Sequence, residues 1–525
     1  MTVEVVQDQA VRLVCSHEFA QAVKQCIPKS EILGARGSDS ELLIYWGLRE
    51  MQTLSSLAPN IKIPSPIARD YNWPGMFTPF DHQRDTSRFL SLHQRAFCFN
   101  EAGTGKTSAA IWAADYLMNQ GLVKRCLVIC PMSIMQTAWQ ADLFKIAMHR
   151  TSAIAHGSVS KRQKIINGSY DFVIINFDGV GVVEQEILKN EFDLIIVDEC
   201  NAYKNPTTKR WKTLSKIIRA DTYVWMMTGT PAAQSPMDAY GLARIIRPEG
   251  VPRRMSSWQE KVMQQYSRFV WKPKPDARKT VFEALQPAIR YEKADCLDLP
   301  EVMYQTRVIP LTASVDRYYK ELKKEMLIEA AGETITTVNA AAALSKLLQI
   351  SGGAVYTSSK NVIEFDVSPR LNVLKEVIEE TSHKVLVFVP YTHTITVIVE
   401  FLKKEGIANA VISGDVSANN RTAIFNSFQR DNDLKVLVIQ PQAASHGVTL
   451  TAADTVVFWS PVMSVETYLQ CIARIDRVGQ VNKMTVIHLQ GSDVEQRMYA
   501  MLQGKVDTHE KLVDLYRQEM EFQNE

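Results

Sequence analysis

At 525 residues the chain is too long for a single hydrophobic core and predicts three or four structural units. Hydrophobic residues make up 46% and charged residues 22%, which excludes a disordered chain, and no uncharged run is long enough to span a membrane. The net charge of +2 supplies no general attraction for polyanions, so any nucleic-acid groove has to be a local basic surface balanced by acid elsewhere.

In chain order, residues 11–57 read strand, helix, strand, helix: VRLVC, FAQAVKQC, a glycine-rich break at 34–37, ELLIYW and LREMQTLSSL. This predicts a small α+β module over residues 1–58. Prolines at 59, 64, 66, 74 and 79 make residues 59–79 read as a linker. Over 80–247, apolar strands at 96–99, 125–130, 171–176, 193–197 and 222–228 alternate with amphipathic helices, the pattern of a doubly wound parallel sheet. Residues 248–369 lack that alternation and read as a polar, helical insertion between lobes. A second alternating block, 370–505, has strands at 385–389, 410–412, 436–440, 455–459 and 484–488, and 506–525 reads as a helical tail. The expected class is therefore α/β, with two doubly wound parallel-sheet lobes, a helical inter-lobe insertion and the small N-terminal module.

The eight cysteines, at 15, 26, 98, 126, 130, 200, 296 and 471, form no CxxC pair, and several lie in apolar runs, so they read as small core residues in a reducing compartment. The acidic start MTVEVVQDQ lacks the basic and apolar regions of a signal peptide. A soluble, intracellular protein is expected, with cytoplasmic, nucleoid-associated placement preferred and a nuclear one left open. A monomer is preferred. The basic stretch KPKPDARK reads as a solvated loop.

Three strings carry the chemistry. In NEAGTGKT, residues 100–107, a loop of Gly103, Thr104 and Gly105 can place backbone N–H groups around phosphate oxygens at a helix N-terminus. Lys106 brings a cation to the β and γ phosphates and the Thr107 hydroxyl can hold Mg²⁺. Asn100 stands where the strict pattern has glycine, and asparagine tolerates left-handed backbone. In LIIVDEC, an apolar strand delivers Asp198 and Glu199 to its C-terminal end, where one carboxylate can organise Mg²⁺ and the other orient the attacking water. For the roles, Asp198 is assigned to the metal and Glu199 to catalysis. In QCIARIDRVGQ, Arg474 and Arg477 lie in a separate lobe and could reach the γ-phosphate only when two lobes close on one ATP, as arginine fingers do. A fortuitous Gly-Thr-Gly turn and a solvated acidic pair are the competing readings, and the order of strand, loop and helix speaks against both.

Through these strings the chain resembles helicase superfamily 2, and within it the SWI/SNF-type DNA translocases, over roughly residues 80–505. PFDHQ resembles the adenine-reading segment and makes Gln83 the candidate adenine ligand. LVICPMSIMQTAW resembles the motif that touches the DNA backbone, near Pro131, and DECNAYKNPTTKRW the acidic motif followed by Lys204-Asn205. MTGTPAAQ resembles the coupling motif, with Thr228, Gly229 and Thr230, and LDLPEVMYQ the segment entering the inter-lobe region. In the second lobe, VISGDVSANNRTAIFNSFQ resembles the motif with Gly414 and Arg421, HGVTLTAADTVVFW the one with Gly447 and Leu450, and the final string ends Arg-x-x-Arg-x-Gly-Gln. Departures are Ala443-Ala444-Ser445, where many relatives have Ala-Gly-Gly, and Asp476, which replaces a common histidine.

The resemblance implies two RecA-like lobes, ATP and Mg²⁺ as cofactors, and DNA-dependent ATP hydrolysis that drives movement on duplex or branched DNA. Implied DNA contacts, mostly to phosphates and independent of sequence, are Pro131, Lys204, Arg421 and Gly447. Trp459, at a strand end, reads as core. The N-terminal module looks like the HARP-type domains that precede annealing-helicase motors, or else is a structural cap on the first lobe. Alternatives for the whole chain are an RNA-directed ATPase of the same superfamily and a scaffold with an idle nucleotide fold.

Overall fold

Alternation of buried and exposed residues along Ala10–Ser16 and Asp39–Tyr45 gives each strand one apolar face, and the chain closes that face with helices. The computed structural model describes residues 1–36, 39–229, 231, 235–266, 271–296, 300–330, 337–356, 362–444 and 448–504. The chain divides into two units, Met1–Cys296 and Leu297–Glu525.

The first unit begins with a four-stranded antiparallel sheet of β1 (Thr2–Val6), β2 (Ala10–Ser16), β3 (Glu31–Arg36) and β4 (Asp39–Tyr45), in the order β1-β2-β4-β3. Helices α1 (His17–Cys26) and α2 (Leu48–Leu57) accompany it. Two of these strands go beyond the strand-helix-strand-helix expectation. β3 runs through Gly34, with its register shifting between Ile32 and Gly34, so backbone pairing forms a strand where composition suggests only a break.

Residues 59–79 are not a free linker. They contain α3 (Ile67–Asp70), bury Ile63, Ile67 and Tyr71, and are held at both ends. Trp46 donates from Nε1 to the Pro64 carbonyl at 2.9 Å, Trp112 to that of Pro74 at 3.0 Å, and the Tyr71 hydroxyl to Asp115 at 2.6 Å. From α2, Gln52 Nε2 donates to the Ser91 carbonyl at 2.8 Å, and Ser55 Oγ lies 3.1 Å from His93 Nε2. The module, this strap and the lobe thus share one hydrophobic core, because the prolines are spaced among large apolar residues that find buried positions.

The lobe itself is built on β5 (Arg95–Cys98), β6 (Cys126–Cys130), β7 (Ser152–Ile154), β8 (Phe172–Asn176), β9 (Leu194–Asp198) and β10 (Tyr223–Met227). An antiparallel pair, β11 (Met263–Gln265) and β12 (Trp271–Pro273), follows, and β13 (Ala288–Ile289) returns to the main sheet. The sheet order is β13-β5-β10-β9-β6-β8-β7 and every pairing is parallel. All five residues of β6 and of β9 are buried, as expected for central strands covered on both faces. Helices α4 (Asp81–Leu92) and α5 (Lys106–Asn119) flank it.

In the second unit β14 (Val302–Val308) is one edge strand, β15 (Ala354–Tyr356) and β16 (Val362–Glu364) form a small antiparallel pair, and β17 (Lys384–Phe388), β18 (Asn409–Ile412), β19 (Val436–Ile439), β20 (Ala453–Phe458) and β21 (Met484–Gln490) complete a parallel sheet. Its order is β14-β21-β20-β17-β19-β18. The stretch 248–369 is therefore shared between the two sheets: β13 extends the first and β14 the second. Neither strand has a clear sequence signal, since β13 is two residues long and β14 is mostly exposed. Trp459 is fully buried, with Nε1 donating to the Gly352 carbonyl at 2.8 Å, in agreement with its reading as core. Among the cysteines, Cys26 is exposed at the end of α1 and Cys296 half-buried, so the core reading fails for those two. No helix among the described residues is long and apolar enough to cross a membrane.

His488 lies fully buried among Phe458, Tyr468 and Tyr499, and burial pushes its imidazole from 6.5 down to about 4. An unfolded chain takes up this proton near pH 6.5, whereas the folded one resists it until near pH 4. The group's contribution is complete above 6.5 and is lost as pH falls toward 4, an effect on the order of 3 kcal/mol. Denaturant titrations at pH 7.5 and 5.0 are expected to show the second unit weakened at the lower pH, and His488→Phe should flatten that dependence.

Candidate active site

Parallel strands deliver their following loops to one edge of a sheet, and four neighbours in the first sheet, β5, β10, β9 and β6, do so here. Adjacent strands stand about 4.8 Å apart. The phosphate-type loop after β5, Thr228-Gly229 after β10, Asp198-Glu199 at the end of β9 and Pro131 after β6 are thereby brought to the same edge.

In the loop, Gly103 and Gly105 have φ of 90° and 82°, a left-handed region that glycine enters without strain. Gly105 is the N-cap of α5 and offers no side chain to the first-turn N–H groups, which leaves them for a ligand. A Cβ at Gly105 would lie 2.1 Å from Gln83 Nε2. Gln83 donates to the Thr104 carbonyl at 3.1 Å and accepts from the Phe80 N–H at 3.1 Å, and His82 Nε2 is 2.8 Å from the same Thr104 oxygen. The candidate adenine ligand therefore lies against the loop backbone. Lys106 donates to the Glu101 carbonyl at 3.2 Å, and both it and Thr107 are half-buried.

Asn100 has a structural reason to replace glycine. It is buried, donates from Nδ2 to Thr86 Oγ1 at 2.8 Å and accepts the Tyr291 N–H at 3.0 Å, so it fastens the loop to α4 and to the chain leaving β13. The sequence pattern shows only the missing glycine.

Asp198 is buried. Its Oδ2 accepts the Trp139 indole N–H at 2.9 Å and its Oδ1 accepts the Glu199 N–H at 3.0 Å. Burial pushes its carboxyl up, and the positive charge of Lys106 opposes that shift. Glu199 adopts φ 52°, ψ 54°, an uncommon left-handed conformation for a residue with a side chain, and strain of this kind gathers at functional sites. Thr228 is buried, donates its N–H to the Cys98 carbonyl at 3.1 Å and accepts from Asn201 Nδ2 at 3.2 Å. A Cβ on Gly229 would come within 3.2 Å of the Ala102 nitrogen, so Gly229 lies close over the phosphate loop. Thr230 falls outside the described residues. Lys204 pairs with Asp238 at 3.2 Å. Trp139 and Asn201 are the partners that motif reading did not single out, although both lie inside the quoted strings.

In the second unit, the helix Val465–Ile472 leads into a turn that holds both arginines. Arg474 is 2% exposed and donates from Nε to the Gln470 carbonyl at 2.8 Å and from Nη1 to that of Val448 at 3.1 Å. Arg477 is half-buried, with Nε on the Ala473 carbonyl at 2.7 Å and Nη1 on Thr449 Oγ1 at 3.3 Å. Arg421 Nη2 donates to the Ser413 and Gly414 carbonyls at 2.9 and 3.0 Å. Gly447 lies outside the described residues. Sequence reasoning missed that Arg474 braces the Val448–Leu450 turn, whose Leu450 N–H returns a hydrogen bond to the Arg474 carbonyl at 2.8 Å.

The SNF2-related domain matches residues 82–370, more than half of the chain, and the helicase conserved C-terminal domain matches residues 369–479. The chain belongs to the SNF2-related family. It is 27% identical over 440 residues to putative protein p41 of Acyrthosiphon pisum secondary endosymbiont phage 1, covering 78% of this chain and 92% of that one. It is 25% identical over 441 residues to the SWI/SNF-related matrix-associated actin-dependent regulator of chromatin subfamily A-like protein 1 of Xenopus tropicalis, covering 81% of this chain but only 44% of the frog protein. Less than half of that relative's length is thus represented. The solved Sulfolobus solfataricus SWI2/SNF2 ATPase core in complex with dsDNA is 21% identical, with 82% of this chain and 92% of that chain covered at a TM-score of 0.41. This SNF2-family chain, then, is a SWI/SNF-type member of superfamily 2 with two parallel-sheet α/β lobes and helicase-like ATPase domains.

Proposed function

We propose that this SNF2-family chain hydrolyses ATP when bound to DNA and uses the hydrolysis to move along duplex or branched DNA. The observation that carries the reading is the set of parts at the C-terminal edge of the first sheet: two left-handed glycines before an uncapped helix N-terminus, Lys106, and Asp198-Glu199 at the end of β9. These residues fit ATP with Mg²⁺. The loop offers N–H donors and a cation to phosphates, and the Thr107 hydroxyl with the Asp198 carboxylate is a hard oxygen donor set. When bound, Mg²⁺ neutralises charge that develops on the phosphates.

The chain's own residues divide the remaining work. The loop N–H groups and Lys106 hold the phosphates, Gln83 contacts the adenine, and Glu199 orients the attacking water and takes its proton. Arg477 and Arg474 supply the positive charge that stabilises the γ-phosphoryl in the transition state. Thr228, Gly229 and Thr230 couple the phosphate state to the rest of the motor. Pro131, Lys204, Arg421 and Gly447 contact DNA phosphates, and Lys204 does so by sharing its charge between phosphate and Asp238. The N-terminal module, on the HARP-like reading, favours branched DNA.

Steady-state ATPase measured with duplex, forked and single-stranded DNA and with RNA, at one salt concentration, tests the proposal. Duplex and forked DNA are expected to stimulate strongly, and stimulation should weaken steeply as salt rises. Displacement of a triplex-forming strand without separation of a plain tailed duplex is expected from the same motor. Equal stimulation by RNA would favour the RNA-directed alternative, and no turnover with any nucleic acid would leave an idle scaffold.

A further inference from the structure

We propose that Trp139 is a positioning residue that ties the segment leaving β6 to Asp198, so that DNA seated on that segment sets the carboxylate's orientation in the nucleotide site. The inference rests on the function proposed above and deepens it, by naming a physical link between polyanion and ATP chemistry.

Asp198 is held by two donors from different parts of the chain. The Glu199 N–H fixes Oδ1 from the next residue, whereas Trp139 Nε1 fixes Oδ2 from 59 positions away in sequence, at 2.9 Å. An indole N–H can only donate, so this bond has one polarity and cannot be exchanged for an acceptor contact. Each carboxylate oxygen keeps a further lone pair for a metal, and the two donors together set the plane in which those lone pairs lie. Partners that orient a metal-binding carboxylate in this way commonly change metal affinity or activity by about 10- to 100-fold when removed.

The indole is fully buried, and its backbone is unusual. Trp139 lies on a single π-helical turn, Met135–Gln140, inserted directly before the α-helix Ala141–Ile146. Such turns carry one more residue than an α-helical turn, re-aim the side chains that follow, and occur often at functional sites. Here the turn aims an indole from the exit of β6 at the end of β9, its hydrogen-bonded neighbour in the sheet.

The same segment has a solvent-facing half. Met132 is 54% exposed, while Ile134 N–H donates to the Pro131 carbonyl at 3.2 Å and Thr137 Oγ1 to that of Ser133 at 3.0 Å, and the π-helical turn that overlaps these bonds extends the connected piece to Trp139. Ser133 Oγ is buried with no hydrogen-bond partner among the described residues, a polar group whose bonding remains to be completed. A phosphate backbone drawn onto this piece displaces the indole with it, and the indole carries Asp198. A merely structural tryptophan would fill the space between β6 and the next helix without affecting the metal.

The test uses the full chain and a non-hydrolysable ATP analogue. Equilibrium affinity is measured with Mg²⁺ and again with a chelator, for the parent, Trp139→Phe, Leu143→Ala and Asp198→Ala. Leu143 is buried on the helix that follows and does not contact Asp198 through a hydrogen bond, so its variant loosens the same packing while sparing the indole bond. Trp139→Phe is expected to lose about 10-fold or more of the affinity gained from Mg²⁺ while its affinity in chelator is unchanged. Leu143→Ala should keep the gain. In ATPase titrations with duplex DNA, Trp139→Phe should lower the maximal stimulated rate without raising the DNA concentration needed for half-stimulation.

If Trp139→Phe keeps the full Mg²⁺ gain and stimulated rate while Asp198→Ala loses them, the proposal is wrong and the metal role of Asp198 stands. If Asp198→Ala also keeps the gain, the metal assignment itself fails and takes this proposal with it. Equal losses in Trp139→Phe and Leu143→Ala would reduce the tryptophan to packing.

Discussion

Lys106→Ala is expected to abolish ATP hydrolysis while leaving the fold intact. The side chain is half-buried, and its hydrogen bond to the Glu101 carbonyl is neutral-acceptor, long at 3.2 Å and replaceable by water. Truncation therefore costs the protein little and, on the proposed reading, removes the cation assigned to the phosphates. It also removes the charge that opposes the effect of burial on Asp198. Glu199→Gln separates binding from chemistry: the amide keeps size and left-handed backbone but cannot take a proton, so turnover should fall by about 10²- to 10⁴-fold with nucleotide affinity retained. Thermal melts, equilibrium nucleotide binding and single-turnover hydrolysis together read these outcomes. Turnover by Glu199→Gln at the parental rate would remove Glu199 from the catalytic role.

The sequence made the central strands visible because burial on both faces demands unbroken apolar runs, as in β6 and β9. It made the glycine loop before α5 visible because glycine serves best at two left-handed positions before a helix. Edge strands β13 and β14 escaped notice, since an edge is specified by backbone pairing more than by side-chain pattern. Contacts between distant residues escaped too. The indole of Trp139 meets Asp198, and the Asn100 amide meets Thr86 and Tyr291, only after the sheet has formed. Proline spacing misled at 59–79, where Ile63, Ile67 and Tyr71 outweigh the prolines and draw the segment into the core. Removing residues 1–58 would strip Trp46, Met51 and Leu54 from a core shared with the lobe, so a truncation reports stability as well as fork preference. Point changes on the exposed side of β3, such as Leu33→Ser at a position 56% exposed, are the sharper probe of a branched-DNA role.

Arg477→Ala is expected to lower the DNA-stimulated maximal rate by about a thousand-fold or more with little change in the stability of the second unit, because loss of a finger arginine removes charge needed mainly in the transition state. Its partner should behave differently. Arg474 is almost wholly buried and satisfies the Gln470 and Val448 carbonyls, so Arg474→Ala leaves acceptors unpaired and should destabilise the unit by about 1–3 kcal/mol in addition to slowing hydrolysis. Arg477 makes its contacts to Ala473 and to Thr449 from a half-buried position, and the longer of them, 3.3 Å, is weak enough to yield to a phosphate oxygen. Denaturant titration separates the two effects from the rate measurement. A stable Arg477→Ala protein with full activity would transfer the finger role to Arg474 alone. Full activity in the double variant would show that neither Arg474 nor Arg477 acts on the nucleotide, and the finger role proposed for this turn would fall.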